Sequence, residues 1–477
     1  MEVPSNPGMP MSLNTQKTGN PGRLAALRAW RQAHRFPILP IVFLSVLAGC
    51  TPAQEWAYEN HDSQGTQYSL SGASGNFASV DAFRHSIGVV VHNAYGSSSY
   101  GNPGAIVARL LEAGITHVAG SMYANPDPSW SWFNQYNYNY INQFQQAGIT
   151  WAFTIGAPND TSTGTPAQVM AAVNTKIQPG LVDGFIWPNE YDTSGDPAWA
   201  TNEAAFGAAE YAAVKADPMV SDRPVIGPSL VNDSSPPILG NQSAAMDTGG
   251  IHPYTQCHSP TPAYDQAQMA RAAVAAPGKP VWVTEVGNST ALNETSGMRP
   301  CSEAVQAVYA VRTYLQHFTD GIGRTYMYEL MEESSDPGLT NSEDHFGLLR
   351  SDFSEKPAFV AIKNLLSIVG YGAPVTTTPL SLSLKGDSAG DLQQLVLQRA
   401  NGSYLVALWR TASIWNHDTL TNLNVTPEQI SVGLPTATRV TAADPITGTG
   451  ESGVALSQGQ TTVLVGADPV ILSVTTS

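Results

Sequence analysis

Gly184-Phe185-Ile186-Trp187-Pro188-Asn189-Glu190-Tyr191 is an apolar run that breaks off into an amide and a carboxylic acid. It reads as a buried strand, because a strand covered on both faces carries apolar side chains continuously rather than alternately. Pro280-Val281-Trp282-Val283-Thr284-Glu285 ends the same way. An acid at the end of a buried strand is costly unless it is paired, solvated or used. These two runs fix how the rest of the chain is read.

Around them, strand and helix patterns alternate. Strand-like runs fall at 86–92, 116–123, 150–156, 182–190, 224–230, 249–254, 280–285 and 324–330. Helical spacing follows at 104–113, 130–147, 166–177, 199–216, 263–275, 302–318 and 357–368, several stopping at glycine. After the fifth strand, Ser234-Ser235-Pro236-Pro237 replaces a full helix with an irregular stretch. Eight such repeats predict an α/β fold, a (β/α)8 TIM barrel over 85–370. An open doubly wound sheet would want a glycine-rich phosphate turn after an early strand, and the sequence has none. From 371 to 477 short strand patterns separated by Gly, Asn and Pro turns predict an all-β sandwich domain.

The chain has 477 residues, 13% of them charged, and a formal charge of −16. That charge argues against nucleic acid and anionic lipid surfaces as partners, since phosphates need Lys and Arg to neutralise them. Arg23, Arg28, Arg31 and Arg35 precede an apolar stretch, 37–49, that is too short to span a bilayer. It closes with Leu47-Ala48-Gly49-Cys50, which resembles a bacterial lipobox. The resemblance implies that 1–50 is a lipoprotein-type signal segment and that Cys50 is lipidated. An exported protein follows, either a cell-envelope lipoprotein touching the membrane only through that anchor or a secreted one. Residues 51–84, rich in Ser, Gly, Gln and Asn, read as a tether. Cys257 and Cys301 follow consecutive predicted strands, and an exported protein permits a disulfide between them. No cofactor or metal is expected. Acid-rich Glu332-Glu333-Ser334-Ser335-Asp336 and Glu343-Asp344-His345 read as a solvated rim rather than a calcium site.

In a barrel of this kind the site lies where the strands end. Polar residues end five of the predicted strands: His92, Asn189-Glu190, His252-Pro253-Tyr254, Glu285 and Tyr328-Glu329. Two carboxyl groups with different protonation states are what glycoside cleavage requires, one to protonate the leaving oxygen and one to attack or to activate water. Trp187-Pro188-Asn189-Glu190 with Val281-Trp282-Val283-Thr284-Glu285 resembles the retaining glycoside hydrolases of clan A. Gly227-Pro228-Ser229, Gly250-Ile251-His252-Pro253-Tyr254 and the following sandwich are most similar to family 39 and its exopolysaccharide-cleaving relatives.

That resemblance implies Glu190 as general acid/base and Glu285 as nucleophile. It also implies Asn189 at the sugar 2-hydroxyl and Tyr254 beside Glu285. Trp187, His92, His252, Tyr328 and Glu329 complete the candidate substrate contacts. Trp130 and Trp132 are further candidates for stacking on sugar faces. The implied protein is a monomeric glycosidase acting on a carbohydrate. A non-catalytic glycan-binding lipoprotein and a transglycosidase are the alternatives. Acyl or peptide hydrolysis would want a Gly-x-Ser-x-Gly elbow or a His-Glu-x-x-His motif, and neither occurs. One departure stands out: Ile115-Thr116-His117-Val118-Ala119 lacks the arginine that relatives carry at the end of strand two.

Overall fold

The computed structural model describes residues 77–477 apart from 161, 296 and 374. The signal segment with Cys50, and the tether from 51 to 76, lie outside the described residues. A short strand, β1 (Phe77–Ser79), and a helix, α1 (Val80–His85), open the described chain. Eight strands then close into a parallel barrel: β2 (Ile87–Val90), β3 (His117–Ser121), β4 (Thr150–Thr154), β5 (Val182–Ile186), β6 (Val225–Gly227), β7 (Thr248–Ile251), β8 (Val281–Val286) and β9 (Thr325–Met327). Pairing of β9 with β2 completes the circle. Each strand is followed by a helix: α2 (Pro103–Ala113), α3 (Ser131–Gln146), α4 (Pro166–Lys176), α5 (Trp199–Ala216), α6 (Ser235–Leu239), α7 (Pro262–Ala275), α8 (Glu303–Thr319) and α9 (Pro357–Val369).

Local chemistry sets the boundaries. Asn102 caps α2 through the Ala105 amide, and Pro103 occupies the first turn, where its missing N–H costs nothing. Gly114, at φ 74°, ends that helix in the left-handed conformation. Thr165 and Gln168 form a reciprocal capping box at the start of α4. The irregular stretch after the fifth strand folds as the five-residue α6, with prolines in its first turn.

All the barrel strands but β8 are shorter than their apolar runs. The regular strand β5 ends at Ile186, and the polar end of the run that reaches Glu190 lies beyond it, tied back by a single isolated bridge.

Beyond the barrel come β10 (Ser383–Lys385), β11 (Leu392–Gln398), β12 (Tyr404–Arg410), β13 (Trp415–Asn416), β14 (Thr421–Asn422), β15 (Glu428–Gly433), β16 (Ala437–Ala443), β17 (Ser452–Gly453), β18 (Gln460–Val465) and β19 (Val470–Thr476). One sheet runs β1-β11-β12-β19-β16-β17 and the facing one β10-β15-β18. Val406, Leu408, Ile430, Val432 and Leu472 fill the space between them. The other face of the larger sheet presents Leu395, Leu397, Leu405 and Trp409 to the barrel's own core. That double burial explains why every residue of β12 is buried. Trp409 Nε1 donates to Gln316 on α8, and Arg312 of α8 donates to the carbonyls of Ala412 and Ala467.

The tether reading needs a correction at its end. Phe77–Ser79 pairs in parallel with β11, and Val80 and Phe83 are fully buried. Three apolar side chains among polar ones were too few to show a period, yet they suffice to dock the segment.

Candidate active site

The carboxyl ends of the barrel strands bring most of the singled-out residues together. Glu190 lies four residues beyond β5, in the left-handed region at φ 47°. A non-glycine residue there is strained by about 1–3 kcal/mol and persists only when its surroundings hold it. The hold is visible in the next turn. Tyr191 donates to Asp196, while Asp192 accepts from the amides of Val231 and Asn232 and from the hydroxyl of Ser235. The loop after β6 is thereby pinned to the loop that carries Glu190. Asn189, half-buried beside it, makes one more parallel bridge to Ser229.

Glu285 sits inside β8. The pairing of β8 with β9 slips between Val283 and Val286, leaving one extra residue on the β8 side around Thr284 and Glu285. Such a bulge re-aims side chains. Gly287 follows, and a Cβ there would lie 1.9 Å from the Tyr328 carbonyl oxygen, so glycine is required for the close approach.

His252 stands between the two acids. Its Nδ1 is 2.7 Å from Glu190 Oε1 and 3.8 Å from Glu285 Oε2. Its Nε2 is 3.0 Å from the Thr284 hydroxyl, which in turn meets Ser229 Oγ at 2.8 Å. Tyr254 donates to Glu285 Oε2 at 3.0 Å. One oxygen of each glutamate and one imidazole nitrogen all lie within 4.8 Å of one another. The imidazole is nearly buried, whereas both carboxylates keep about a fifth of their surface open.

The electrostatics follow from that layout. Burial pushes the Glu285 carboxyl up; His252 pulls it down, Glu190 adds an upward push, and the Tyr254 hydrogen bond pulls down again, leaving it raised. For His252 burial favours the neutral ring, but Glu285 and Glu190 outweigh it and raise its pKa. Burial and the nearby carboxylates raise Tyr254, so it stays a donor.

On the far side of Tyr254 a second group gathers. The Tyr328 ring lies 6.3 Å from Tyr254 and 5.5 Å from His92. His92 stacks on Tyr95 at 4.5 Å, and its Nε2 lies 3.1 Å from Glu329 Oε2 and 3.9 Å from Glu333 Oε1. Glu329 is fully buried and accepts from Tyr100. Tyr328 donates to Glu343 at 3.1 Å.

Trp187 does not join them. It is 1% exposed, and its ring lies so close to α5 that a Cβ on Gly207 would meet it at 2.2 Å. It is a core residue between barrel and helix, turned away because the apolar run continues into packing rather than into the cleft. Of the two stacking candidates, Trp132 is exposed and Trp130 half-buried, both edge-on to Phe133, which meets Tyr123.

The rim reading of the acidic loops also changes. Glu332 is buried, paired with Lys356 at 3.1 Å and His345 at 3.3 Å, and Asp336 accepts three backbone amides of its own loop. Glu333 and Glu343 are half-buried and face His92 and the acids. Sequence reasoning missed Thr284, Ser229 and this acidic wall. Thr284 and Ser229 stood in quoted stretches, but nothing in their identity announced a relay. Cys257 and Cys301 form a disulfide.

No protein-family model matches the sequence, and no curated protein does. Solved structures do. A family 39 glycoside hydrolase from the gut symbiont Bacteroides cellulosilyticus WH2 aligns with a TM-score of 0.53 at 17% identity, covering 83% of this chain and 82% of that one. The GH39 enzyme from Xanthomonas axonopodis pv. citri aligns at 0.54 and 14% identity, over 84% and 96%. A GH39 β-xylosidase from Caulobacter crescentus aligns at 0.52 and 13%, over 84% and 97%. The chain shares the fold of these enzymes, barrel and sandwich together.

Proposed function

We propose that this protein is a retaining glycoside hydrolase that cleaves O-glycosidic bonds of a poly- or oligosaccharide. One observation carries the reading: two carboxylates at barrel strand ends, with oxygens within 4.8 Å, partly open, and bridged by one buried histidine. Retaining enzymes hold their carboxyl groups about 5–5.5 Å apart, whereas inverting ones leave about 6.5–9.5 Å for a water.

In the first step a Glu285 oxygen attacks the anomeric carbon while the bond to the leaving oxygen breaks and Glu190 gives that oxygen its proton. In the second, Glu190 takes a proton from water as the water displaces Glu285 from the sugar. Tyr254 and His252 supply hydrogen-bond and charge support to Glu285 while it is ionised, in a chain that has no arginine at the second strand's end. An acceptor sugar in place of water would turn the same residues to transglycosylation, and product analysis with a competing acceptor separates the two.

The test is Glu285→Ala. Hydrolysis of an aryl glycoside panel falls by roughly 10⁴-fold, and added azide or formate restores part of it by standing in for the lost nucleophile. Full activity in that variant sinks the assignment. Glu190→Ala loses about 10²–10⁴-fold on sugars with poor leaving groups and far less on activated ones, as removal of a general acid requires. Equal losses would exclude Glu190 as the acid. We further propose export with a lipid anchor at Cys50, which the buried disulfide supports; Cys50→Ser should release the protein from membranes.

A further inference from the structure

We propose that Thr284 and Ser229 are positioning residues for the acid pair: their hydroxyls form a reversible relay that keeps the Nδ1 proton of His252 on Glu190. The proposal rests on the glycosidase reading above and adds to it two residues that act through the imidazole.

The geometry comes first. His252 Nδ1 lies 2.7 Å from Glu190 Oε1, and its Nε2 lies 3.0 Å from the Thr284 hydroxyl. Thr284 Oγ1 lies in turn 2.8 Å from Ser229 Oγ. Consecutive side chains of a regular strand point to opposite faces. Thr284 and Glu285 nevertheless reach the same imidazole, because the slip between Val283 and Val286 falls on them. The imidazole is 3% exposed, Thr284 3% and Ser229 2%. A partner removed at such a place leaves a polar atom with no water to replace it.

The donor count comes next. An ionised Glu190 only accepts, so the proton between it and the ring sits on Nδ1. Nε2 then has two states, a lone pair on the neutral ring and an N–H on the charged one. A hydroxyl serves both, since it donates and accepts. With the ring neutral, Ser229 donates to Thr284 and Thr284 donates to Nε2. With the ring charged the direction reverses: Nε2 donates to Thr284 and Thr284 donates to Ser229. Only hydroxyl hydrogens turn, and Glu190 Oε1 keeps its Nδ1 donor throughout. The proton that Glu190 gives to the leaving oxygen is thereby left to Oε2.

Loss of the Thr284 hydroxyl costs the two ring states unequally. A buried N–H of a charged ring left without an acceptor is costlier than a lone pair left without a donor. Thr284→Val therefore favours the neutral ring. The groups that face the ring are Glu190 and Asp192 from the loop after β5, Glu285 from β8, and Tyr254 from its own loop. None of them is altered by the substitution. A neutral ring withdraws support from an ionised Glu285, whose other facing groups are Glu190, Tyr254 and His92. Ser229→Ala acts in the same direction but more weakly. Thr284 can still donate to Nε2, yet in the reversed direction its own hydrogen has lost its acceptor.

The experiment is a pH titration of the histidine side-chain nitrogens by NMR in wild type, Thr284→Val, Thr284→Ser and Ser229→Ala. The His252 signals are assigned by their loss in His252→Gln. In Thr284→Val the His252 midpoint should fall by about one pH unit, the difference between losing a bond to a charged group and to a neutral one. Thr284→Ser, which keeps the hydroxyl, restores the midpoint, and Ser229→Ala gives a smaller fall. The acidic limb of kcat/KM moves to higher pH in the same order. An unchanged midpoint in Thr284→Val and Ser229→Ala overturns the proposal. So does a fall that Thr284→Ser leaves in place, or a neutral wild-type ring with its proton on Nε2. Ser229→Ala decides the matter if Thr284→Val does not fold. The titration needs no substrate, so the two claims separate. A shifted ring in a protein that cleaves no sugar, without azide rescue in Glu285→Ala, removes the glycosidase and leaves the relay. An unshifted ring in an enzyme that passes the Glu285→Ala test removes the relay and leaves the glycosidase.

Discussion

The barrel carries a histidine–carboxylate constellation at each end, and the two are built to opposite rules. At the amino end, His117 Nδ1 lies 2.7 Å from Asp183, Thr150 donates to the same oxygen at 2.8 Å, and Arg324 pairs with it while lying over the Trp282 ring. There one carboxylate meets an arginine and a histidine, both nearly buried, and a half-buried hydroxyl. At the carboxyl end two carboxylates share one histidine and stay partly open. Asp183 is accordingly pulled down to about 2, its partners outweighing burial, whereas Glu285 is pushed up. The first arrangement spends its charges on one another. The second leaves a carboxylate whose state depends on its neighbours, which suits the nucleophile proposed above.

The largest expected effect separates the two ends by function. Glu285→Gln removes hydrolysis, by roughly 10⁴-fold, and should at the same time raise the midpoint of denaturation at pH 7. The sign follows from linkage. A carboxyl whose folded pKa lies above its unfolded one loses stability as pH rises through that window, so Glu285 carries a cost above its unfolded pKa that the amide relieves. A variant that is both inactive and less stable would mean that Glu285 belongs with the packed ion pairs of the other end.

Asp183→Asn reverses the pattern. Removing one partner of a buried pair leaves Arg324 uncompensated and should cost about 3–5 kcal/mol in urea unfolding. Turnover per folded molecule should persist. The folded pKa of Asp183 is lowered, so its contribution is present above the unfolded value and is lost as pH falls toward about 2. Burial outweighs Asp183 at His117 and lowers its pKa, so charging that ring also costs stability as pH falls below its ordinary range. Acid therefore weakens the amino end and eases the strain on Glu285. Unfolding that shows no acid-dependent difference between wild type and Asp183→Asn would break the comparison.

The sequence revealed these two ends unequally. The barrel was legible because parallel strands covered on both faces must be apolar throughout, and their polar ends mark one rim. Glu190, His252, Tyr254 and Glu285 were legible for the same reason. Trp187 was misjudged because it continues an apolar run, and only Gly207 opposite shows that its ring packs outward on α5. The amino-end cluster went unread because His117, Thr150 and Asp183 open strands that are distant in sequence, and no local spacing joins them. Glu333 and Glu343 were hidden by composition: a loop rich in acids looks solvated until the fold turns two of them inward.

The smallest expected effect tests whether His252 serves the carboxyl end as Arg324 serves the amino end. His252 pulls the Glu285 carboxyl down against burial, and its own pKa is raised by the two acids it touches. In His252→Gln the pull of a charge is gone, although Gln can still reach a hydrogen-bond partner. The ionised form of Glu285 then becomes harder to reach, and the acidic limb of kcat/KM moves to higher pH. At a pH on that limb the variant loses activity, and the loss shrinks as pH rises. At pH values above both limbs' midpoints for Glu285 the two enzymes converge toward the difference set by the Glu190 contact alone. An acidic limb that stays in place would show that His252 positions Glu190 without tuning Glu285. In that case Tyr254, at 3.0 Å, would be the group that holds the carboxylate ionised in the absence of an arginine.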